Sequence, residues 1–321
     1  MLQGKQLILA TKPFAKEDRS KSWRYTLSTL FILILSQVCV LVIPFWPAQL
    51  IFSIFSGFVI VRLFVIYHDH QHHAILQKSI AADILFTIFG FYVLAPTSIW
   101  KRSHDYHHAN NSKLFSASIG SYPIYSKQKF EKCGRMEKIH YLFIRHPLTI
   151  LHGYIFAFMY GMCIKSIINS FGKHVDSLFA LILHFAYQFA VVYFLGWQTW
   201  FFFCMIPHFV SGAMGAYLFY AQHNFPGVTF KGNAEWTYEG AALESSSYMD
   251  LNPFMHWVTA NIGYHHIHHM NARIPFYRLP EVMKQMPEMQ QAKKTTLKPK
   301  DIAACFRLKV WDHENQKMVG V

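Results

Sequence analysis

Charge is scarce in this chain: Asp, Glu, Lys and Arg make up 15% of its 321 residues, against 53% hydrophobic and 17% aromatic. That scarcity argues against the two soluble domains the length would otherwise allow and points to a membrane protein. Cysteine is too sparse for a structural role. Cys39, Cys133, Cys163, Cys204 and Cys305 are odd in number and form no C-x-x-C pair, so neither a disulfide framework nor a thiolate zinc site is expected. No basic recognition motif accompanies the formal net charge of +13, so nucleic acid is not an expected partner. The excess suits anionic lipid headgroups or an acidic protein instead. The N-terminus lacks the short apolar core and small-residue cleavage site of a removable leader, and the first apolar run is expected to stay. No internal repeat or low-complexity segment is present.

Long apolar runs fill the space left by charge. Residues 25–43 carry none and residues 48–67 only Arg62, so each has about the 20 residues a bilayer-spanning helix needs. Pro44, Trp46 and Pro47 form the hairpin between them. Runs 178–196 and 199–221 follow one another almost without a linker and read as a second hairpin. Residues 84–100, shorter and holding Pro96, and residues 147–164, holding His152 and Gly153, read as interfacial or re-entrant helices. Lys5, Lys12, Lys16, Arg19, Lys21 and Arg24 precede the first run and assign that end to the cytoplasm. The expected fold is an all-α integral membrane protein with four transmembrane helices in two hairpins. It comprises a cytoplasmic segment 1–24, a hairpin 25–67, a cytoplasmic and interfacial region 68–177 with a polar loop at 112–146, a hairpin 178–221 and a histidine-rich cytoplasmic cap 222–321. Arg62 is expected to snorkel to the interface, Trp100, Trp197, Trp200, Trp236 and Trp257 to mark it, and the basic run 293–300 to be solvated surface.

Twenty histidines remain to be explained. Four crowd into Gly263-Tyr264-His265-His266-Ile267-His268-His269, and two boxes lie upstream: His68-Asp69-His70-Gln71-His72-His73 and His104-Asp105-Tyr106-His107-His108. A single His223 follows the last apolar run. Packing does not call for such clustering, whereas a metal does. Four helical residues turn through about 400°, so His68 and His72 share a face, and the first, fourth and fifth residues of an H-x-x-H-H box lie in one stripe. A box of the first kind can use only its first and last histidine, His68 and His73, or His72 as well. With four crossings all these residues fall on one side, as a single divided site requires. Imidazole suits iron, zinc, copper and nickel, so spacing does not name the metal. A structural zinc needs four ligands, and about ten candidates fit two ions better than one. Asp69 and Asp105 each follow the first histidine of a box, where a carboxylate can take the other ring N–H. His70 and His266 sit off the shared spacing and read as supporting or incidental. His140, His146, His152, His174, His184, His208, His256 and His313 lack a partner at ligand spacing and read as packed or surface residues.

In these boxes and their separations the sequence resembles the membrane fatty-acid desaturases. The likeness extends to Tyr220-Ala221-Gln222-His223-Asn224-Phe225, to Ala242-Leu243-Glu244-Ser245-Ser246-Ser247, and to Asn261-Ile262 leading into the third box and Arg273-Ile274-Pro275-Phe276-Tyr277-Arg278-Leu279 beyond it. These stretches look like the bacterial and plastid acyl-lipid branch, and the likeness covers roughly residues 60–315. The resemblance implies a non-haem di-iron enzyme that uses O2 and two electrons to place a cis double bond in an acyl chain. It also implies the iron ligands His68, His72, His73, His104, His107, His108, His223, His265, His268 and His269, with His70 standing where the family often has a small residue. The substrate would be a membrane lipid acyl chain measured along an apolar tunnel. No haem motif or Cys-rich cluster is fused to the chain, so a separate donor is expected: an acidic ferredoxin or flavodoxin, with cytochrome b5 less favoured. The implied location is multi-pass in a bacterial inner membrane with the site facing the cytoplasm. A hydroxylase or ketolase on the same boxes is the near rival. A histidine-rich divalent-metal transporter is the distant one, but it would carry ionisable ligands inside its spans.

Overall fold

The computed structural model describes residues 2–114, 122–232 and 234–321; residues 115–121 of the expected polar loop lie outside that set. Four helical stretches among the described residues are long and apolar enough to cross a membrane: Arg19–Val42, Trp46–Gln71, Tyr154–Lys173 and Val175–Ala221. The first, α1 (Arg19–Val42), starts where the Asp18 carboxylate accepts the Lys21 backbone N–H at 3.0 Å, and it stops before Pro44. Helix α2 (Trp46–Gln71) carries Pro47 in its first turn, where a missing N–H costs nothing. Small polar residues line the α1–α2 seam, with the Ser36 and Ser56 hydroxyls 2.8 Å apart, the close packing that replaces a hydrophobic drive between helices in lipid. Phe31, Ile34, Leu35 and Val42 are exposed and form an apolar outer face.

Residues 84–100 fall on two helices, α3 (Ile80–Tyr92) and α4 (Thr97–Ala109), which meet at 92° across the Pro96 corner. Residues 147–164 depart from expectation. Pro147–Leu151 is a separate helical turn, and the long element is α5 (Tyr154–Lys173), 20 residues with Tyr154–Ile164 wound as π-helix. The apolar window had straddled two elements and missed the polar residues that carry the helix past Ile164. The last apolar stretch is α6 (Val175–Trp200) and α7 (Ile206–Ala221), joined by a short π-turn. Gly196, at φ 83°, breaks the helix there. The Trp200 indole donates to Gln188 Oε1 at 2.8 Å, although twelve helical residues would span about 18 Å. The chain therefore doubles back at this point, as a hairpin requires. Gly212 of α7 lies so close to α5 that a Cβ there would sit 2.7 Å from Tyr154 Cβ.

Arg62 does not snorkel. It is buried, donates from Nε to Thr29 Oγ1 at 3.0 Å and from Nη1 to the Trp257 carbonyl, and lies 4.8 Å from the Trp257 ring centre. It ties α1 and α2 to the C-terminal segment, where α8 (Tyr238–Glu244), α9 (Pro253–Val258) and α10 (His265–Met270) are short. Two small sheets qualify the all-α expectation. Strands β1 (Tyr125–Ser126), β4 (Val310–Asp312) and β5 (Lys317–Val319) form one, with β1–β4 parallel and β4–β5 antiparallel. Parallel β2 (Tyr248–Met249) and β3 (Lys294–Thr295) form the other. Each pairs segments far apart in sequence, binding the tail to the residues that flank the histidines.

Candidate metal centre

Four elements bring the histidines together. His68 lies in the last turn of α2, and His72 caps that helix. His104, His107 and His108 share one stripe of α4, His223 follows α7 by two residues, and α10 is little more than the third box. The side chains sort into two groups. His68, His72, His104, His108 and His268 form one, and His107, His223, His265 and His269 the other; within each, the nitrogens lie within 4.8 Å of one another. The boxes are shared between groups. Box two sends His107 to the second group and its i, i+4 pair to the first, while box three sends His268 to the first and its i, i+4 pair to the second. The stacked rings of His108 and His269, with centres 4.3 Å apart, put the groups side by side.

The nitrogen contacts test whether a metal fits. In the first group the Nε2 atoms of His68 and His104 are 2.8 Å apart, those of His104 and His108 3.2 Å, and those of His108 and His268 3.0 Å. In the second, His223 and His265 are 2.9 Å apart, His265 and His269 3.1 Å, and His107 and His269 3.2 Å. Two nitrogens at right angles on an ion, each about 2.1 Å from it, would be about 3.0 Å apart. A neutral imidazole carries only one N–H. The Nδ1–H of His68 donates to Asp69 Oδ1 at 3.1 Å and that of His223 to the Ser245 carbonyl at 3.0 Å, which leaves lone pairs on both Nε2 atoms. Lone pairs crowded at these distances repel unless a cation sits among them, and the buried His72 Nε2 has no hydrogen-bond partner among the described residues. Burial, reinforced by neighbouring imidazoles, holds His72, His265, His268 and His269 well below the ordinary histidine range, and burial lowers His223 to about 4. The rings therefore stay neutral, the state in which they can bind a metal.

Of the ten histidines the resemblance implies, nine meet in these groups and His73 does not. Helix α2 ends at Gln71, and His73 turns to φ 56°, exposed and away from both groups. Asp69 is buried against His68 and also accepts the Phe276 backbone N–H at 2.7 Å. Asp105, in the same local motif, is half exposed and pairs with Lys101 at 2.8 Å, so it supports no ring. His70 bonds to the Ile75 carbonyl and to Asp83, and His266 to the Met289 carbonyl, outside both groups. Two further residues support the centre, Arg145 without a sequence signal and Trp100 in a role other than the expected one. Arg145, fully buried, donates to Asn224 Oδ1 at 2.8 Å and to the Pro123 carbonyl at 3.0 Å, and Asn224 in turn donates to the Cys305 carbonyl at 2.8 Å. Trp100 stacks on His104 at 4.6 Å; being fully buried, it is no interface marker.

An apolar cavity opens from this centre. His68 and His104 of the first group and His107 and His265 of the second stand in its wall, with Val61, Val65, Leu218 and Phe219 beyond them. None of the five tryptophans singled out above lines it.

Comparison with known proteins adds relatives. The model of the family described as fatty acid desaturase matches residues 44–299. A fatty acid desaturase of Bacillus subtilis is 31% identical over 274 residues, covering 83% of this chain and 75% of the relative. An sn-1 oleoyl-lipid 12-desaturase of Synechocystis is 23% identical over 287 residues, covering 85% of this chain and 78% of the relative. An oleoyl-12-hydroxylase of Ricinus communis is 25% identical over 266 residues, covering 74% of this chain and 65% of the relative.

Proposed function

Because this chain belongs to the fatty acid desaturase family, we propose that it removes two hydrogens from an acyl chain of a membrane glycerolipid and leaves a cis double bond. Those two hydrogens, with two electrons and two protons from outside, reduce one O2 to two waters. The observation that carries the reading is that histidines of both groups stand in the wall of one apolar cavity. A chain of methylenes lying there meets both groups at once.

Iron is the metal assigned to the two groups, and when bound it supplies dioxygen activation and hydrogen abstraction. The protein's own part is positional. Asp69 and the Ser245 carbonyl hold His68 and His223 in the tautomer whose Nε2 faces inward. Val61, Val65, Leu218 and Phe219 exclude water and keep the acyl carbons in line with the centre. A C–H bond offers no polar handle, so the reacting carbon is chosen by depth along the cavity. The electrons come from a separate acidic carrier, a ferredoxin or flavodoxin before cytochrome b5, drawn to a chain of net charge +13. The centre faces the cytoplasm from a bacterial inner membrane.

The Ricinus relative supports a second reading, hydroxylation at the same centre. One experiment separates them. Fatty acids from a bacterial host lacking polyunsaturated lipids are analysed by gas chromatography and mass spectrometry, with and without this chain and a ferredoxin with its reductase. A new unsaturated species is expected; a hydroxylated one selects the alternative, and no new product overturns both.

A further inference from the structure

The cavity has a second end. Its residues on α7 recur with helical spacing from His208 through Ser211, Gly215 and Leu218 to Gln222, fourteen residues or about 21 Å of helix. Gln222 adjoins the histidine groups, so His208 marks the remote end, and Tyr154 of α5 lies there with it. That end is polar in an otherwise apolar passage. The Tyr154 hydroxyl is 2.7 Å from His184 Nε2 and 2.9 Å from Gln188 Nε2. Gln188 is fixed by the Trp200 indole at 2.8 Å, and His184 donates from Nδ1 to the Tyr92 carbonyl at 2.9 Å. His208 reaches that same carbonyl from Nε2 at 3.2 Å. Tyr154, His184, Gln188 and His208 are all buried, on helices long and apolar enough to lie in the membrane, where such polar residues are costly and mark function more often than packing.

We propose that Tyr154 is the stop that ends the acyl passage, and that His184 and Gln188 are positioning residues that hold its ring across it. This rests on the desaturase reading and adds to it the residues that set which carbon reacts. The methyl end of the acyl chain then abuts the Tyr154 ring, and the polar headgroup stays at the opposite end of the passage. The number of carbons between ring and histidines then limits how far from the methyl end the double bond falls. A large aliphatic side chain would block the passage equally well but would be free to change rotamer. A hydroxyl held by two partners keeps the ring in one place, and that sharpens the product.

The tests are Tyr154→Ala, Tyr154→Phe and His184→Gln, made in the full chain. In Tyr154→Ala the double bond moves away from the methyl end by about four to five carbons, the ring's ~6 Å reach divided by ~1.3 Å per methylene for C–C bonds of about 1.5 Å. In Tyr154→Phe and His184→Gln the ring stays but loosens, and the single wild-type isomer becomes a mixture. A companion measurement needs no turnover: binding of saturated fatty acids of increasing length to purified protein, whose length optimum shifts upward by the same carbons in Tyr154→Ala. Unchanged bond position and unchanged length optimum in Tyr154→Ala overturn the stop, and a single wild-type isomer from the two conservative variants overturns the positioning role. A shifted length optimum in a protein that makes no unsaturated product keeps the stop and discards the desaturase reading. If Tyr154→Ala does not accumulate, the two conservative variants carry the test.

Discussion

Replacing Asp69 by Asn would act first on the tautomer of His68. The carboxylate accepts two N–H groups, from His68 Nδ1 at 3.1 Å and from the Phe276 backbone at 2.7 Å. Asn has one carbonyl oxygen and one NH2. If the oxygen keeps the shorter bond to Phe276, the NH2 faces the His68 Nδ1–H, donor against donor. The imidazole escapes by moving its proton to Nε2, the nitrogen that stands 2.8 Å from His104 Nε2 inside the first group, and a protonated Nε2 cannot bind metal. Loss of such support costs metal affinity or activity about 10–100-fold, or about 1.4–2.7 kcal/mol. Losing one buried hydrogen bond to a charged group lies in the same range, about 1.5–3 kcal/mol. The assay is iron per chain by inductively coupled plasma mass spectrometry against graded chelator, with Asp105→Asn as control because Asp105 is half exposed and pairs with Lys101. Asp69→Asn is expected to lose iron at about one-tenth the chelator concentration or less, and Asp105→Asn to match wild type. Equal retention in both variants would refute the tautomer argument.

Other expectations concern neighbouring features. His73→Ala should keep wild-type iron content and activity, whereas His72→Ala should lower both; the reverse order, read by metal analysis and product yield, would return His73 to the ligand set. Burial lowers His223 from 6.5 to about 4, so between those pH values the unfolded chain binds a proton there that the fold refuses. Stability of the metal-free protein should therefore be full above pH 6.5 and fall as pH drops towards 4, by about 3 kcal/mol from this residue alone. Thermal unfolding in detergent across that range checks it, and a flat profile contradicts it. Gly212→Ala would set a Cβ 2.7 Å from Tyr154 Cβ, and the forced separation of α5 from α7 should cost about 1–3 kcal/mol; an unchanged unfolding midpoint would mean the helices part freely.

Local spacing made much of the centre legible before the structure, and tertiary contacts decided the rest. The i, i+4 pairs 68/72, 104/108 and 265/269 each converge as helical geometry requires. Which pair joins which single histidine could not be read, because it depends on how α2, α4 and α10 cross. Asp69 and Asp105 occupy the same His-Asp motif and diverge because a backbone N–H of Phe276 waits beside the first and solvent beside the second. His73 was misleading because a helix end, not a spacing, takes it out of reach. The long apolar stretches of α1, α2, α6 and α7 were legible from run length, while α5 was not, since its apolar first half and polar second half share one helix. Tyr154, His184, Gln188 and His208 carried no joint signal, being brought together only by packing of α5, α6 and α7.

The measurement that tests the central claim most directly is the metal content of the purified chain, wild type beside His223→Ala. Two iron ions per chain in the wild type, falling towards one when a ligand of the four-histidine group is removed while the five-histidine group stays intact, is the result this account requires. One ion per chain, zinc in place of iron, or an iron count indifferent to His223 would contradict it.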